Sequence, residues 1–310
     1  MLVTALLAGF VLLIAGGELL VRGGVRLARI AGVSPLVIGI TIVGFGTSTP
    51  ELVASLQAAL AGVPDLALGN IVGSNIANIL LILGIATFLS PITVSPETVR
   101  RDGALVVATA VLLLLAGMLG VLGRLTGIVF VTGLMAYMWF LLRHGRVPAE
   151  ALPDGIDPGK GPGELAISGL LTLIGIALVI AGGRLLVDAA VALARLLEVS
   201  EAVIGLTVVA VGTSLPEMAT TLMAAARKAP DIALGNVLGS NIYNVLGIGG
   251  ITATVTPLPV PAHMLRVDMP VMVAVSILLV VLALRLKTLG RRTGVLFLGG
   301  YGVYVALLFG

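Results

Sequence analysis

Long apolar stretches separated by short polar ones run the whole length of the chain. A helix needs about 20 apolar residues to cross a bilayer. On that measure the hydrophobic pattern predicts ten spans, at about 2–21, 34–60, 65–89, 103–122, 125–142, 165–187, 200–226, 231–255, 268–286 and 293–309. The first run, Leu2 to Ala15, follows no basic segment and precedes no small-residue cleavage site, so it is read as part of a retained span. The chain is therefore expected to be an all-α integral membrane protein.

One stretch breaks the apolar pattern and then returns. "GTSTPELVASLQAALAGVPDLALGNIVGSNIANIL", Gly46 to Leu80, recurs as "GTSLPEMATTLMAAARKAPDIALGNVLGSNIYNVL", Gly212 to Leu246, with 20 of 35 positions identical at a constant offset of 166. Outside it, "IAGGELLVRGG" from Ile14 matches "IAGGRLLVDAA" from Ile180. A repeat this long is a duplicated half-protein and not a solenoid. The expected halves are 1–142 and 165–310, joined by a Pro- and Gly-rich linker, 143–164. With five spans each, an odd number, the second half enters the membrane upside down. Inverted repeats are a transporter architecture, with sites near the midplane where the halves meet.

Charge supports the inversion. Arg22 and Arg26 become Asp188 and Ala192 in the second copy, while Ala61 and Gly62 become Arg227 and Lys228, so the basic flank moves to the other end of the repeat. Placing the 18 Lys and Arg residues on alternate sides gives 14 on one side and 4 on the other. The basic side should be cytoplasmic, which puts both termini outside the cytoplasmic membrane. Composition agrees: 58% of residues are hydrophobic and 11% charged, against about 25% charged in soluble domains. The basic residues fall in loops, so the excess of positive charge does not point to nucleic acid. With no cysteine, disulfides and thiolate metal sites are excluded.

Chemistry concentrates in the repeated motif. Glu51 and Glu217 sit inside spans two and seven, where an ionisable side chain costs about 2.5–3.5 kcal/mol on insertion scales, and no Lys or Arg lies deep in a span to neutralise them. Glu18 and Arg184 lie near span ends and are read as helix staples. Pro50 and Pro216 precede the two acids. Each removes an N–H and disfavours helical geometry just before it, so spans two and seven are expected to be broken. Carbonyls among Gly44–Thr47 and Ala210–Thr213 should lose their helical partners. Thr47 and Ser48 share the face of Glu51, as Thr213 and Ser214 share that of Glu217. In spans three and eight, Asn70, Ser74 and Asn78 form one polar stripe, and Asn236, Ser240 and Asn244 another. Asn70 and Asn236 are read as interhelical hydrogen-bonding residues. Gly69 with Gly73, and Gly235 with Gly239, suit close helix packing. The only histidines, His144 and His263, fall in loops. A pocket of carboxylate, hydroxyl, amide and carbonyl oxygen suits calcium, or sodium with similar ligands, and not zinc or copper.

The two motifs, "GTSTPE" with "GNIVGSNIANIL" and "GTSLPE" with "GNVLGSNIYNVL", resemble the paired α-repeats of the sodium/calcium exchanger family. The resemblance implies ten helices in two inverted five-helix repeats, with helices 2, 3, 7 and 8 as the core and helices 2 and 7 broken. It implies Glu51 and Glu217 as central cation ligands, with Thr47, Ser48, Thr213, Ser214, Ser74 and Ser240 beside them. Gly44 and Ala210 fall where the family uses backbone carbonyls, and Asn78 and Asn244 where it places further polar ligands. Some members carry aspartate where this chain has Asn244, so two carboxylates are present and not three.

The implied activity is antiport of calcium against sodium by one chain acting as a monomer in the bilayer, without a cofactor. Helices one and six would slide against the core, and Gly16, Gly17, Gly182 and Gly183 suit such a face. Proton-coupled or potassium-dependent exchange is the alternative, and a cation channel is a reading of another class. An intramembrane hydrolase would need paired aspartates, a Ser/His pair or an HExxH helix, and none stands in the spans.

Overall fold

The computed structural model describes residues 2–144, 162–196 and 210–309. The linker predicted at 143–164 lies almost wholly outside the described residues, as do Arg146, Lys160 and the first part of the span predicted at 200–226.

The described chain is helical apart from two short ribbons. Its helices are α1 (Leu2–Ala31), α2 (Pro35–Thr47), α3 (Thr49–Leu60), α4 (Pro64–Leu89), α5 (96–117), α6 (Arg124–His144), α7 (Pro162–Leu196), α8 (Ala210–Thr213), α9 (Leu215–Ala226), α10 (230–255), α11 (Met264–Leu286) and α12 (Arg291–Phe309). Among them five are long and apolar enough to cross a membrane, and a sixth if the bent pair α2–α3 is one span. That is fewer than the ten the pattern predicts. α5 opens on Glu97, Arg100, Arg101 and Asp102, and α10 carries Asn236, Ser240, Asn241 and Asn244, so charge and polarity lower their apolar score.

α4 and α10 form the interior. Of the apolar window of α4, 78% is buried, against 22% for α1. Ile71, Ile76 and Ile79 of α4, and Ile242 and Ile248 of α10, are fully buried. Leu125 and Trp139 of α6 instead face outward, as lipid contact allows. The second GxxxG pair packs as expected: a Cβ on Gly239 would lie 2.6 Å from the Cα and carbonyl oxygen of Ile40, a distance only glycine permits.

α1 and α7 are the long pair, 30 and 35 residues. At 1.5 Å per residue they reach about 45 and 52 Å, beyond the roughly 30 Å of hydrocarbon, so they tilt or project. They run antiparallel along a glycine seam. A Cβ on Gly16 would lie 2.7 Å from Val179 N, and one on Gly175 only 2.6 Å from Leu20 N. Gly182 belongs to this seam, whereas Gly17 faces Ala219 and Met223 of α9.

Two antiparallel ribbons clasp the halves together. β1 (Ile92–Thr93) pairs with β4 (Thr288–Leu289), and β2 (Val121–Leu122) with β3 (Leu258–Pro259). An offset of 166 carries β1 onto β3 and one of 167 carries β2 onto β4, with the pairing register kept, so each clasp is the inverted image of the other. Two further ties correspond, Asp102 to Asp268 at an offset of 166 and Tyr137 to Tyr304 at 167. Tyr137 of α6 donates to Asp102 Oδ1 at 3.0 Å, and Tyr304 of α12 donates to Asp268 Oδ1 at 2.9 Å.

Candidate functional site

The two broken helices position the acids. α2 and α3 meet at 44° around Ser48, which has φ −84° and ψ 7°. Ser214 joins α8 to α9 with φ −90° and ψ 9°. The break thus falls on the serine, one residue earlier than the position before proline. Pro50 and Pro216 then occupy the first turn of a new helix, where a missing N–H costs nothing. The bare carbonyls expected at Gly44–Thr47 are partly supplied. Gly44 O accepts the Ser48 N–H at 3.1 Å and the Thr47 hydroxyl at 3.4 Å, and Phe45 O accepts the Thr49 hydroxyl at 3.1 Å. Pro50 itself deprives the carbonyl of Gly46, four residues back.

Glu51 and Glu217 are 1% and 2% exposed, and among the described residues neither makes an ion pair. Each is held by a serine of the opposite half. Ser48 donates to Glu217 Oε1 at 2.7 Å, and Ser214 donates to Glu51 Oε1 at 3.3 Å. A hydroxyl has one proton to give, so Ser48 takes its second bond, 3.1 Å to Ser240, as acceptor. Ser74 stands likewise 3.5 Å from Ser214. The two carboxylates, four serines and both breaks therefore form one buried cluster. Among the described residues, Glu51 Oε2, Glu217 Oε2, Asn78 Oδ1 and Asn244 Oδ1 are buried oxygens without a hydrogen-bond partner. Buried acceptors are ordinarily satisfied, and each of the two unpaired carboxylates keeps one oxygen open.

The other predicted residues are placed less centrally. Thr47 is buried but its hydroxyl faces Asn236 Oδ1 at 3.3 Å, and the Thr213 hydroxyl faces Asn70 Oδ1 at 3.4 Å. Ala210 enters through its backbone as the first residue of α8.

Asn70 and Asn236 do bridge helices, as expected, but closer to the acids than that role requires. Asn70 donates to the Glu51 carbonyl at 3.2 Å and to Ser55 at 2.8 Å. Asn236 donates to the Glu217 carbonyl at 3.2 Å and to Thr221 at 2.9 Å. Asn241 was not foreseen; its Oδ1 accepts from Asn78 Nδ2 at 3.0 Å. Its signal was the asparagine in each "GSN" of the repeat, one residue after the serine of the polar stripe.

Comparison with known proteins bears on what binds there. Residues 1–143 and 167–310 match the family model described as "Sodium/calcium exchanger protein". The chain belongs to the sodium/calcium exchanger family. Inner membrane protein YrbG of Escherichia coli (strain K12) is 37% identical to this exchanger-family chain, over 100% of it and 97% of that protein. Sodium/calcium exchanger MaX1 of Methanosarcina acetivorans is 33% identical over 98% of this chain and 97% of its own length. A solved structure of the sodium-calcium exchanger NCX_Mj, soaked with 2.5 mM Na+ and 0.1 mM Ca2+, superposes with a TM-score of 0.87 at 33% identity, covering 98% of this chain and 97% of that one. Membership makes the chain a multi-pass membrane transporter of the all-helical, inverted-repeat kind.

Proposed function

We propose that this exchanger-family chain carries calcium across the membrane in exchange for sodium, by alternating access to the pocket between α2–α3 and α8–α9. The observation that carries the reading is the pair of buried, unpaired carboxylates, each bonded to a serine of the opposite half and each keeping one oxygen open. Calcium takes six to eight oxygens in flexible geometry. Glu51, Glu217, Ser48, Ser214, Ser74, Ser240, Asn78 and Asn244 supply side-chain oxygen, Thr47 and Thr213 hydroxyl or carbonyl oxygen. Gly44 and Ala210 contribute main-chain carbonyls. Sodium accepts the same ligands, so the ions compete for one pocket and exchange follows.

The excess of basic residues on one predicted side supports a cytoplasmic-membrane location with both termini outside. The closed interior formed by α4 and α10 supports action as a monomer. The halves are taken as 1–142 and 165–310, with 143–164 between them.

The presence of two carboxylates also favours a second reading, in which protons replace sodium. Purified protein in proteoliposomes, loaded with calcium-free buffer and given external calcium, separates them. An outward sodium gradient is expected to drive calcium uptake. Uptake that follows a pH gradient and ignores sodium overturns the sodium reading. Uptake with no dependence on any ion inside would make the protein a channel.

A further inference from the structure

Asn70 and Asn236 spend both ends of their amides in the same way. Each amide nitrogen donates to the main-chain carbonyl of the acid in its own half and to a hydroxyl one turn further along the acid's helix. Asn70 reaches Glu51 at 3.2 Å and Ser55 at 2.8 Å, and Asn236 reaches Glu217 at 3.2 Å and Thr221 at 2.9 Å. Each amide oxygen accepts from a threonine of the opposite half, Asn70 from Thr213 at 3.4 Å and Asn236 from Thr47 at 3.3 Å. The amides cannot sit the other way round. A carbonyl only accepts, so the nitrogen must face the glutamate, and the oxygen is left for the threonine.

The consequence is geometric. The turn of α3 that carries Glu51 is bolted to α4, and the turn of α9 that carries Glu217 to α10, the two interior helices. A staple between neighbouring helices needs only those donor bonds. The third bond crosses to the break of the other half, next to the serine on which that helix bends. Ser48 already reaches the Glu217 carboxylate at 2.7 Å. Two successive residues of one break therefore address the same acid, Ser48 through its side chain and Thr47, by way of Asn236, through its main chain. Ser214 and Thr213 treat Glu51 likewise. We propose that Asn70 and Asn236 are positioning residues of the cation pocket. Each holds the acid-bearing turn of its own half and the break of the other half at one spacing, and so sets calcium affinity without touching the ion. The proposal rests on the reading of the pocket as a calcium site and adds two residues which that reading leaves out.

The test uses the full chain, purified in detergent, with radioactive calcium binding measured by equilibrium dialysis and the melting temperature recorded beside it. Loss of a group that orients metal ligands typically costs about 10- to 100-fold in affinity. Asn70→Ala and Asn236→Ala are each expected to raise the half-saturating calcium concentration by that factor. Variants that melt lower but bind calcium as tightly as the parent make the asparagines helix staples only and overturn the proposal, leaving the calcium site standing. A parent chain that binds no calcium overturns the calcium reading and this assignment with it.

Double variants test the crossing bond itself. Thr47→Val and Thr213→Val remove a hydroxyl and nearly keep the shape. Either change alone breaks the bond between Asn236 and Thr47, so the fold losses of Asn236→Ala and Thr47→Val should not multiply when combined. The same holds for Asn70→Ala with Thr213→Val. In the uncrossed pairs, Asn236→Ala with Thr213→Val and Asn70→Ala with Thr47→Val, the losses should multiply. Crossed and uncrossed pairs that behave alike overturn the proposal. Asn236 is fully buried and Asn70 half-buried, so should Asn236→Ala fail to fold, Asn70→Ala with its two threonine partners carries the same comparison.

Discussion

α3 and α9 are counterparts in the repeat, TPELVASLQAAL against LPEMATTLMAAA, and they leave their breaks with nearly the same geometry. Their surroundings differ. Pro216 is buried and Pro50 half-buried; Ala219 and Met223 are half-covered, while their counterparts Val53 and Gln57 are exposed. The cover on α9 is α1. A Cβ on Gly17 would sit 3.1 Å from the Ala219 carbonyl, and Arg227 at the end of α9 donates to Glu18 Oε2 at 2.6 Å. The motif thus fixes the break and the acid locally, but whether the pocket is closed on a given side depends on how α1 and α7 lie. In this structure α9 is covered by α1 where the matching face of α3 is exposed.

The largest expected effect tests whether the two halves share the chemistry equally. Glu51→Gln and Glu217→Gln each remove one of the two buried charges that the proposed function assigns to the divalent ion. Losing one partner of a buried charged set costs about 3–5 kcal/mol, more than a hundredfold in flux at 1.4 kcal/mol per tenfold. Calcium uptake by the two variants should fall by similar amounts. A variant that keeps flux within tenfold of the parent removes its glutamate from the site and breaks the equivalence of the halves.

A smaller effect tests the unequal cover. The chain has no cysteine, so single-cysteine variants report without background. Gln57→Cys on α3 should react with a polar maleimide about tenfold faster than Met223→Cys on α9, since the reactive form is the thiolate and both its formation and its access favour the wetter site. Equal rates in detergent-solubilised protein would mean that α1 does not shield α9.

How much of this could be read from sequence depends on the range of the interaction. The break was legible because proline acts on its own helix turn, and it fell on Ser48 and Ser214, within the stretch before each proline. The acids were legible because charge in a span needs a reason. The crossed pairing, Ser48 to Glu217 and Ser214 to Glu51, was not, since it depends on how two inverted halves meet. Nor was the difference between Asn241, whose Oδ1 accepts from Asn78 of the other half, and Asn75, which holds the same place in the repeat but donates to the Ile71 carbonyl of its own helix. The β clasps escaped notice for the same reason: strands of two residues have no periodicity, and their partners lie in the opposite half.

The smallest effect concerns what holds α1 against α9. Glu18 is bonded by Arg22, one turn along α1, and by Arg227, which reaches it through two nitrogens. Only the second contact ties one helix to the other. The inverted counterparts of Glu18 and Arg227 are Arg184 and Ala61, which cannot form such a pair, so the tie exists on one side only. The Arg227 side chain is 51% exposed and that of Glu18 17%, which keeps the interaction near the range of surface pairs, about 0.2–1 kcal/mol. Glu18→Gln should therefore raise maleimide reactivity at Met223→Cys by about two- to fivefold. Arg227→Gln should do the same, and raising the salt concentration should mimic both by screening the pair. Unchanged reactivity in both variants would place the bias toward α9 in the Gly17 contact alone, where shape and not charge keeps α1 in place.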